Sequence, residues 1–202
     1  AAEGVIDIFQ MQGRQKPEIS IFDENFIKEV KKLRFKNLAI EVLRKLIQDE
    51  IKVRIKTNEM RYRSLLDLLE QTIEEYENNI INSAKVIERL LELAQDIKKS
   101  EKEGKSLGLT QEELAFYDAL SQGKKHINSD EQRKKIVKEL VKMIRRDLTV
   151  DWTNNEKIKA SIRANARLLL LRNNIPAQEG EKMIEHIFRQ ASFLYADFVS
   201  AG

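Results

Sequence analysis

One run of apolar residues, spaced alternately three and four positions apart, constrains the fold of this chain more than any other feature. Ten positions follow this alternation over four heptads, and nine of them can present apolar surface: Leu66, Leu69, Ile73, Tyr76, Ile80, Ser83, Ile87, Leu90, Ala94 and Ile97. Because such spacing returns side chains to one face of an α-helix, the run predicts a long helix with a coiled-coil-like seam.

A second apolar series supplies a partner for that seam. Its members recur at mostly three- or four-residue steps between residues 23 and 56: Phe26, Val30, Leu33, Leu38, Val42, Leu46 and Ile47. Thr57 and Asn58 mark a break between the two segments, and a short connection favours antiparallel neighbours. We therefore predict that both segments pair inside one chain as a long helical hairpin.

The composition favours helices in the remainder of the chain as well. Only 2 Pro and 7 Gly occur among 202 residues, which is too few turn residues for a β-sandwich or barrel. No apolar run approaches the ~20 residues that a membrane-spanning helix needs. The absence of Cys removes disulfides and thiolate metal ligands and fits a reducing cytoplasm, where we expect the protein to work. The chain also begins without Met, so we expect it to be a piece of a longer polypeptide.

Four segments follow from these patterns. Residues 1–20 are expected to form a lead-in strap, residues 21–99 the hairpin, and residues 110–202 a compact group of three or four amphipathic helices. Residues 100–109 are expected to form an exposed linker, because this stretch is charged, contains two Gly and lacks periodicity. The predicted fold class is all-α.

Three helix starts in the last segment share one signature, a hydroxyl residue followed three positions later by Glu or Gln. This capping box lets the two side chains satisfy backbone N–H groups that the first helical turn leaves without partners. The pairs are Thr110 with Glu113, Ser129 with Gln132, and Thr153 with Glu156. The last helix is predicted after Pro176 from a complete apolar face: Ile184, Ile187, Phe188, Ala191, Leu194, Tyr195 and Phe198.

Charge is unevenly distributed along the chain. Residues 26–56 hold ten Lys and Arg against four Asp and Glu, and residues 129–172 hold twelve against six. Each block therefore carries a net charge of +6, whereas the whole chain carries only +3. Such asymmetry favours an anionic partner, either phosphate or an acidic protein face, although long solvated helices also carry mixed charge.

Two short motifs suggest catalysis but fail on geometry. Gly104-Lys105-Ser106 resembles the end of a phosphate-binding loop, but the position that such a loop fills with its first Gly is Lys99. Glu50 and Lys52 have the spacing found in many metal-dependent nucleases. That chemistry needs both side chains on one face of a strand, and residues two apart on a helix point about 200° apart.

The histidines do not suggest a metal site. His126 and His186 are the only two, and neither has a second ligand at the spacing that zinc enzymes use. We therefore predict no catalytic residue, no metal site and no cofactor site in this chain.

The segment TVDWTNNEKIKASIRANARLLL, which starts at Thr149, supplies the candidate binding surface. Lys159, Arg163 and Arg167 recur every four residues and form one stripe on the predicted helix, and Trp152 lies just before this helix begins. Cations beside an aromatic ring suit either phosphate contact or a protein interface anchored by Trp and Arg. In the structural alternative, Trp152 covers the end of the core and the stripe is solvated. The residues alone leave both interpretations open.

Five phrases of the chain occur in an order typical of one protein family. They are VIDIF, KPEISIFDENF, NLAIEVLRKLIQDEIK, GLTQEELAFYDAL and TVDWTNNEKIKASIRANARLLL. These phrases resemble the carboxy-terminal helical region of the motor (R) subunits of type I restriction endonucleases. The resemblance covers nearly the whole chain, and GLTQEELAFYDAL and VDWT are its most specific parts.

The resemblance implies a parent subunit that is an ATP-dependent type I site-specific deoxyribonuclease, with the nuclease and the ATP- and Mg²⁺-dependent motor in other domains. It implies that this helical end is not an enzyme but a docking domain, which joins the motor subunit to the methyltransferase (M) and specificity subunits. DNA is then a partner of the whole complex, and no membrane is involved. A second hypothesis is that the two basic zones bind the backbone of duplex DNA directly during translocation.

Overall fold

The computed structural model describes residues 20–123, 127, 129–149 and 152–196, and every regular element within them is helical. The α-helices are α1 Glu24–Lys31, α2 Lys36–Arg54, α3 Glu59–Glu77, α4 Ser83–Leu107, α5 Gln111–Ala119, α6 Asp130–Asp147, α7 Glu156–Arg172 and α8 Ala177–Leu194. Two short 3-10 turns, Leu120–Gly123 and Trp152–Asn154, follow α5 and precede α7. The all-α prediction is confirmed for the described residues. The predicted strap lies outside them, apart from residue 20.

These helices form two compact units. The front unit comprises the described residues up to Val53 together with Tyr62–Glu103. The back unit comprises Arg54–Arg61 together with the described residues from Gly104 onward. The turn between α2 and α3 therefore belongs to the back unit, although both helices belong mostly to the front unit.

The front unit begins with a capped helix. Asp23 Oδ1 accepts a hydrogen bond from Phe26 N at 2.7 Å, and the chain leaves the helical path between Lys32 and Phe35 before α2 begins. The larger apolar side chains buried in α1–α4 are Phe26, Val30, Ile40, Leu43, Ile47, Ile51, Leu69, Ile73, Val86, Leu90, Leu93 and Ile97. Most members of both apolar series are thus buried or half-buried within one chain, with Ile80 as the exposed exception.

The seam is not one continuous helix, and this part of the prediction is wrong. Helix α3 ends at Glu77, Asn79 adopts a left-handed backbone conformation with φ 56°, and α4 begins at Ser83. Ile80 lies in the turn between them and is 70% exposed, whereas Ile87 is only 8% exposed. Asn tolerates positive φ better than most residues, so the chain can turn here although the apolar alternation continues through the turn.

The segment expected to form an exposed linker, residues 100–109, is helical as far as Leu107, where α4 ends. Gly104 is buried, and a Cβ at this position would lie 3.2 Å from Leu109 O, so this glycine permits a close approach of the chain. Gly108, with φ 67°, ends the helix in the conformation that favours glycine. Lys and Glu are good helix formers, so the charged residues extend a helix that is already established.

The back unit is built around one apolar core. Its larger members are Phe116, Leu120, Ile136, Val137, Leu140, Ile144, Trp152, Ile162, Leu170, Met183, Ile184 and Ile187. The apolar face predicted for the last helix is confirmed from Ile184 to Tyr195, which are both buried, with Phe188 and Leu194 partly buried against the core. Phe198 lies outside the described residues.

Two of the three predicted caps begin their helices as expected. Thr110 and Glu113 form the full reciprocal box, with bonds of 3.1 Å to the hydroxyl and 2.9 Å to the carboxylate. Ser129 Oγ accepts from Gln132 N at 3.1 Å, and Gln132 Nε2 donates to Asn173 O at 3.3 Å.

The third predicted cap is wrong. Asn155, not Thr153, caps α7, and its side chain accepts from Lys157 N and Ile158 N. Thr153 lies in the 3-10 turn that buries Trp152, which places the helix start two residues later than the capping-box pattern predicts. Asn is at least as good an N-cap as Thr, so the displaced start carries no penalty.

Candidate functional site

Trp152 lies in the core of the back unit. Its side chain is 1% exposed, and Nε1 donates a hydrogen bond of 2.7 Å to Tyr195 O. The indole meets the Phe188 ring edge-on, with centroids 5.8 Å apart and planes at 78°. Because the ring and its N–H are both satisfied internally, Trp152 packs beneath the surface and does not stand exposed beside the basic stripe.

Two cations of the α7 stripe form ion pairs within the back unit. Lys159 Nζ lies 2.7 Å from Glu156 Oε1, one helical turn away. Arg167 on α7 donates two parallel bonds of 2.5 and 2.9 Å to the carboxylate of Glu181 on α8. The hydrogen bond from Arg167 lowers the pKa of the Glu181 carboxyl. This bidentate pair joins two helices that are adjacent in sequence.

Arg163, the middle cation of the stripe, lies on an aromatic ring. Its guanidinium carbon is 3.8 Å from the centroid of Phe188, and its Nε is 3.9 Å from Glu185 Oε1. Stacking on an aromatic face and proximity to a carboxylate both favour the charged guanidinium. The stripe is therefore a half-exposed surface of mixed charge, and not a row of unopposed cations.

A second basic row, which the sequence analysis did not single out, runs along α6. Lys135, Lys138, Lys142 and Arg146 are all exposed and recur at steps of three or four residues. Arg146 pairs with Asp147 at 2.8 Å. Among the described residues, the three lysine side chains have no ion pair or hydrogen bond. This row lies inside the second basic block of the sequence. A search for cations at helical spacing, which identified the α7 stripe, would also have found it.

A groove of about 330 Å³ lies between α6 and α7. Its walls carry Lys142 and Arg146 from α6 and Arg172 from α7, and Met143, Leu168 and Leu169 contribute apolar surface. Leu168 is 51% exposed, and Leu171, three residues further along α7, is 45% exposed. Two half-exposed leucines beside several cations form a surface that could bind an anionic or amphipathic partner.

A buried polar cluster fixes the α2–α3 turn within the back unit. Asp118 accepts bonds from Asn58 Nδ2 at 2.6 Å and from Arg61 Nε and Nη2 at 2.7 and 3.0 Å. The Arg61 and Asp118 side chains are each only 15% exposed. The buried Gln190 accepts from Glu59 N at 2.8 Å, so α8 also holds this turn.

The catalytic motifs that the sequence analysis rejected lie on helices. Glu50 and Lys52 belong to α2, and Lys105 belongs to α4, so neither motif has the strand or loop that its chemistry needs. His186 on α8 is half-buried, and desolvation lowers its pKa below the usual value of 6.5. His126 lies outside the described residues. The described residues contain no group of three or more His, Asp or Glu side chains that could hold a metal ion.

No helix in the described part of the chain combines the length and the apolar character that crossing a membrane requires.

Comparison of the amino-acid sequence with known proteins finds a matching family and similar proteins. Residues 1–197 match the family described as type I restriction enzyme HindI endonuclease subunit-like, C-terminal. The putative type I restriction enzyme MjaIXP endonuclease subunit of Methanocaldococcus jannaschii is 34% identical over 199 residues, which are 97% of this chain and 19% of that protein. The type I restriction enzyme HindI endonuclease subunit of Haemophilus influenzae is 33% identical over 198 residues, with the same coverage. The chain thus spans about a fifth of the length of these relatives, and no solved structure matches it.

Proposed function

This chain belongs to the family of C-terminal domains of type I restriction enzyme HindI-like endonuclease subunits, and from that premise we propose that it is a non-catalytic docking domain. It joins the subunit that translocates and cleaves DNA to the methyltransferase and specificity subunits, here called the core complex. The nuclease and the ATP- and Mg²⁺-dependent motor then belong to the remainder of the parent subunit, and the working compartment is the cytoplasm.

The observation that carries this proposal is the exposed surface of mixed character on the back unit. Leu168 and Leu171 on α7 each expose about half of their surface, and Leu168 lines the groove together with Lys142 of α6. Apolar side chains rimmed by charged residues are typical of protein interfaces. A helical domain of this kind can bind a partner subunit without any change in its own fold.

The α7 stripe supports docking as a second contact surface. Lys159, Arg163 and Arg167 lie beside carboxylates, so the surface offers donors and acceptors together. Exposed ion pairs contribute little to folding, which leaves these side chains available to exchange partners on binding. Trp152 supports this surface from beneath by packing against Phe188.

Direct binding of duplex DNA by the basic zones is the second candidate function. The α6 lysines favour it, because Lys135, Lys138 and Lys142 have no carboxylate partner among the described residues. A protein that neutralises phosphates loses affinity steeply as salt rises, with a slope of about 0.9 decades per decade of salt for each phosphate contacted.

Co-elution with the core complex tests the docking function. The 202-residue chain is mixed with the purified core complex of the same system, with and without a short duplex, and passed through a size-exclusion column. Docking predicts a shared peak without DNA. If the chain elutes alone and binds the duplex with a steep salt dependence, DNA binding replaces docking as the function.

A further inference from the structure

We propose that the groove between α6 and α7 is the docking surface, and that it binds an acidic amphipathic helix of the core complex. This inference rests on the proposed docking function and names the face and the partner chemistry.

The charge of the groove is only partly compensated from within, because among the described residues three cations line it with one carboxylate, Glu139. Lys142 and Arg172, on opposite walls, have no ion pair or side-chain hydrogen bond to any other residue that the structure describes. The stripe on α7 differs, since Arg167 is held by Glu181 in a bidentate pair. An acidic partner therefore gains new ion pairs at the groove, whereas at the stripe it must first displace existing ones.

The lysine row gives the binding surface its length. From Lys135 to Arg146 the row covers eleven helical steps, or about 16 Å at 1.5 Å per residue. A second, open depression of about 460 Å³ is lined by α6 side chains from Glu131 to Lys142 and shares Glu139 and Lys142 with the groove. This length matches about three turns of a partner helix, which would place acidic side chains opposite successive lysines.

The apolar surface selects a protein partner over a nucleic acid. Leu168 and Met143 line the groove, and Leu171 lies three residues beyond Leu168 on α7. A phosphate backbone would leave these side chains in water, whereas the apolar face of an amphipathic helix would cover them. Glu139 also lines both grooves, and its carboxylate repels phosphate but can pair with a cation on a partner.

Matched variants of the 202-residue chain test the groove. Leu168→Ser removes apolar surface, and the double variant Lys138→Glu with Lys142→Glu reverses the charge of one wall. Two controls carry the same changes elsewhere: Leu68→Ser on α3, where the leucine is 45% exposed, and the double variant Lys102→Glu with Lys105→Glu on the exposed face of α4. The affinity of each variant for the purified core complex is measured by titration calorimetry. We expect both groove variants to bind at least about tenfold more weakly, and both controls to bind as the unmodified chain does.

A photo-crosslinking residue placed at Leu171 identifies the partner segment. The crosslinked peptide of the core complex is expected to be an amphipathic helical segment rich in Asp and Glu. A crosslink to a segment without acidic residues overturns the proposed chemistry.

The outcomes distinguish a failure of the groove inference from a failure of the docking function. If the unmodified chain binds the core complex and the groove variants bind equally well, the groove inference is wrong while docking stands. If the unmodified chain does not bind the core complex, both are wrong. If it binds duplex instead, and the Lys138→Glu with Lys142→Glu variant abolishes that binding, then the row contacts DNA.

Discussion

The front and back units use polar contacts in different ways. In the front unit, the ion pairs Glu29 with Lys32, Lys85 with Glu88, and Asp96 with Lys99 each join residues within one turn of one helix, and Glu75 with Arg89 joins α3 to α4. The back unit also has pairs within one turn, such as Glu156 with Lys159, but more of its polar pairs join separate elements: Glu112 with Arg145, Asp118 with Arg61, Asp147 with Asn165, and Glu181 with Arg167. The back unit also packs Trp152, Phe188 and other aromatic rings against one another.

This difference indicates which unit depends on one specific arrangement of its helices. A pair within one helical turn adds about 0.2–0.5 kcal/mol and does not depend on how helices are arranged. A pair between helices, partly desolvated, forms in one arrangement only. The front unit should therefore tolerate changes of surface charge, whereas the back unit should be sensitive wherever two elements meet.

The largest effect is expected at Trp152. Trp152→Ala removes a buried indole and its bond to Tyr195 O, and we expect the chain to lose about 3–5 kcal/mol of unfolding free energy. Chemical denaturation followed by circular dichroism measures this loss. Phe35→Ala in the front unit is the control, because that ring is 54% exposed. A loss for Trp152→Ala as small as that of the control would contradict the buried position.

Ile87 and Ile80 test whether a turn interrupts the apolar series of the front unit. Ile87→Ala should cost about 2–5 kcal/mol, because the side chain is 8% exposed on α4. Ile80→Ala should cost under about 0.5 kcal/mol, because the side chain is 70% exposed in the turn. Both belong to the same apolar alternation, so equal losses from denaturation curves would favour one continuous helix.

Asp118 tests whether polar contacts between helices contribute more to the free energy of unfolding than contacts within one helical turn. Asp118→Ala removes one hydrogen bond from Asn58 and two from Arg61, and we expect a loss of about 1.5–3 kcal/mol. Circular dichroism follows the unfolding of both units, and the fluorescence of Trp152, the only Trp of the chain, reports the back unit. The matched control is Asp96→Ala, which removes the exposed pair with Lys99 and should change stability by under about 0.5 kcal/mol. Equal losses would remove the contrast between the units.

The sequence predicts features that depend on neighbours along the chain. The apolar faces of the helices and the Thr110 box were predicted correctly, because each arises from spacing within a few residues. The turn at Asn79 was missed because the apolar alternation continues through it, and the cap at Asn155 because Thr153 matched a local pattern.

The candidate site depends on contacts that spacing alone does not predict. The burial of Trp152 is decided by Phe188 and the Tyr195 carbonyl, more than thirty residues away in the chain. The pairing of Arg167 with Glu181 depends on how α7 and α8 pack. Residue spacing therefore identifies the stripe but not its carboxylate partners.

The smallest effect is expected at the pair between Arg167 and Glu181, which decides whether the α7 stripe is scaffold or docking surface. Both side chains are about half exposed, so Arg167→Glu should lower the unfolding free energy by at most about 1 kcal/mol. The charge-swapped double variant, Arg167→Glu with Glu181→Arg, should recover most of that loss, because the pair re-forms with opposite polarity. Affinity for the core complex is measured on the same two variants. If the stripe is scaffold, affinity stays unchanged in both. If the stripe contacts the partner, the swap restores stability but not affinity, because the partner then meets the wrong charge at each position.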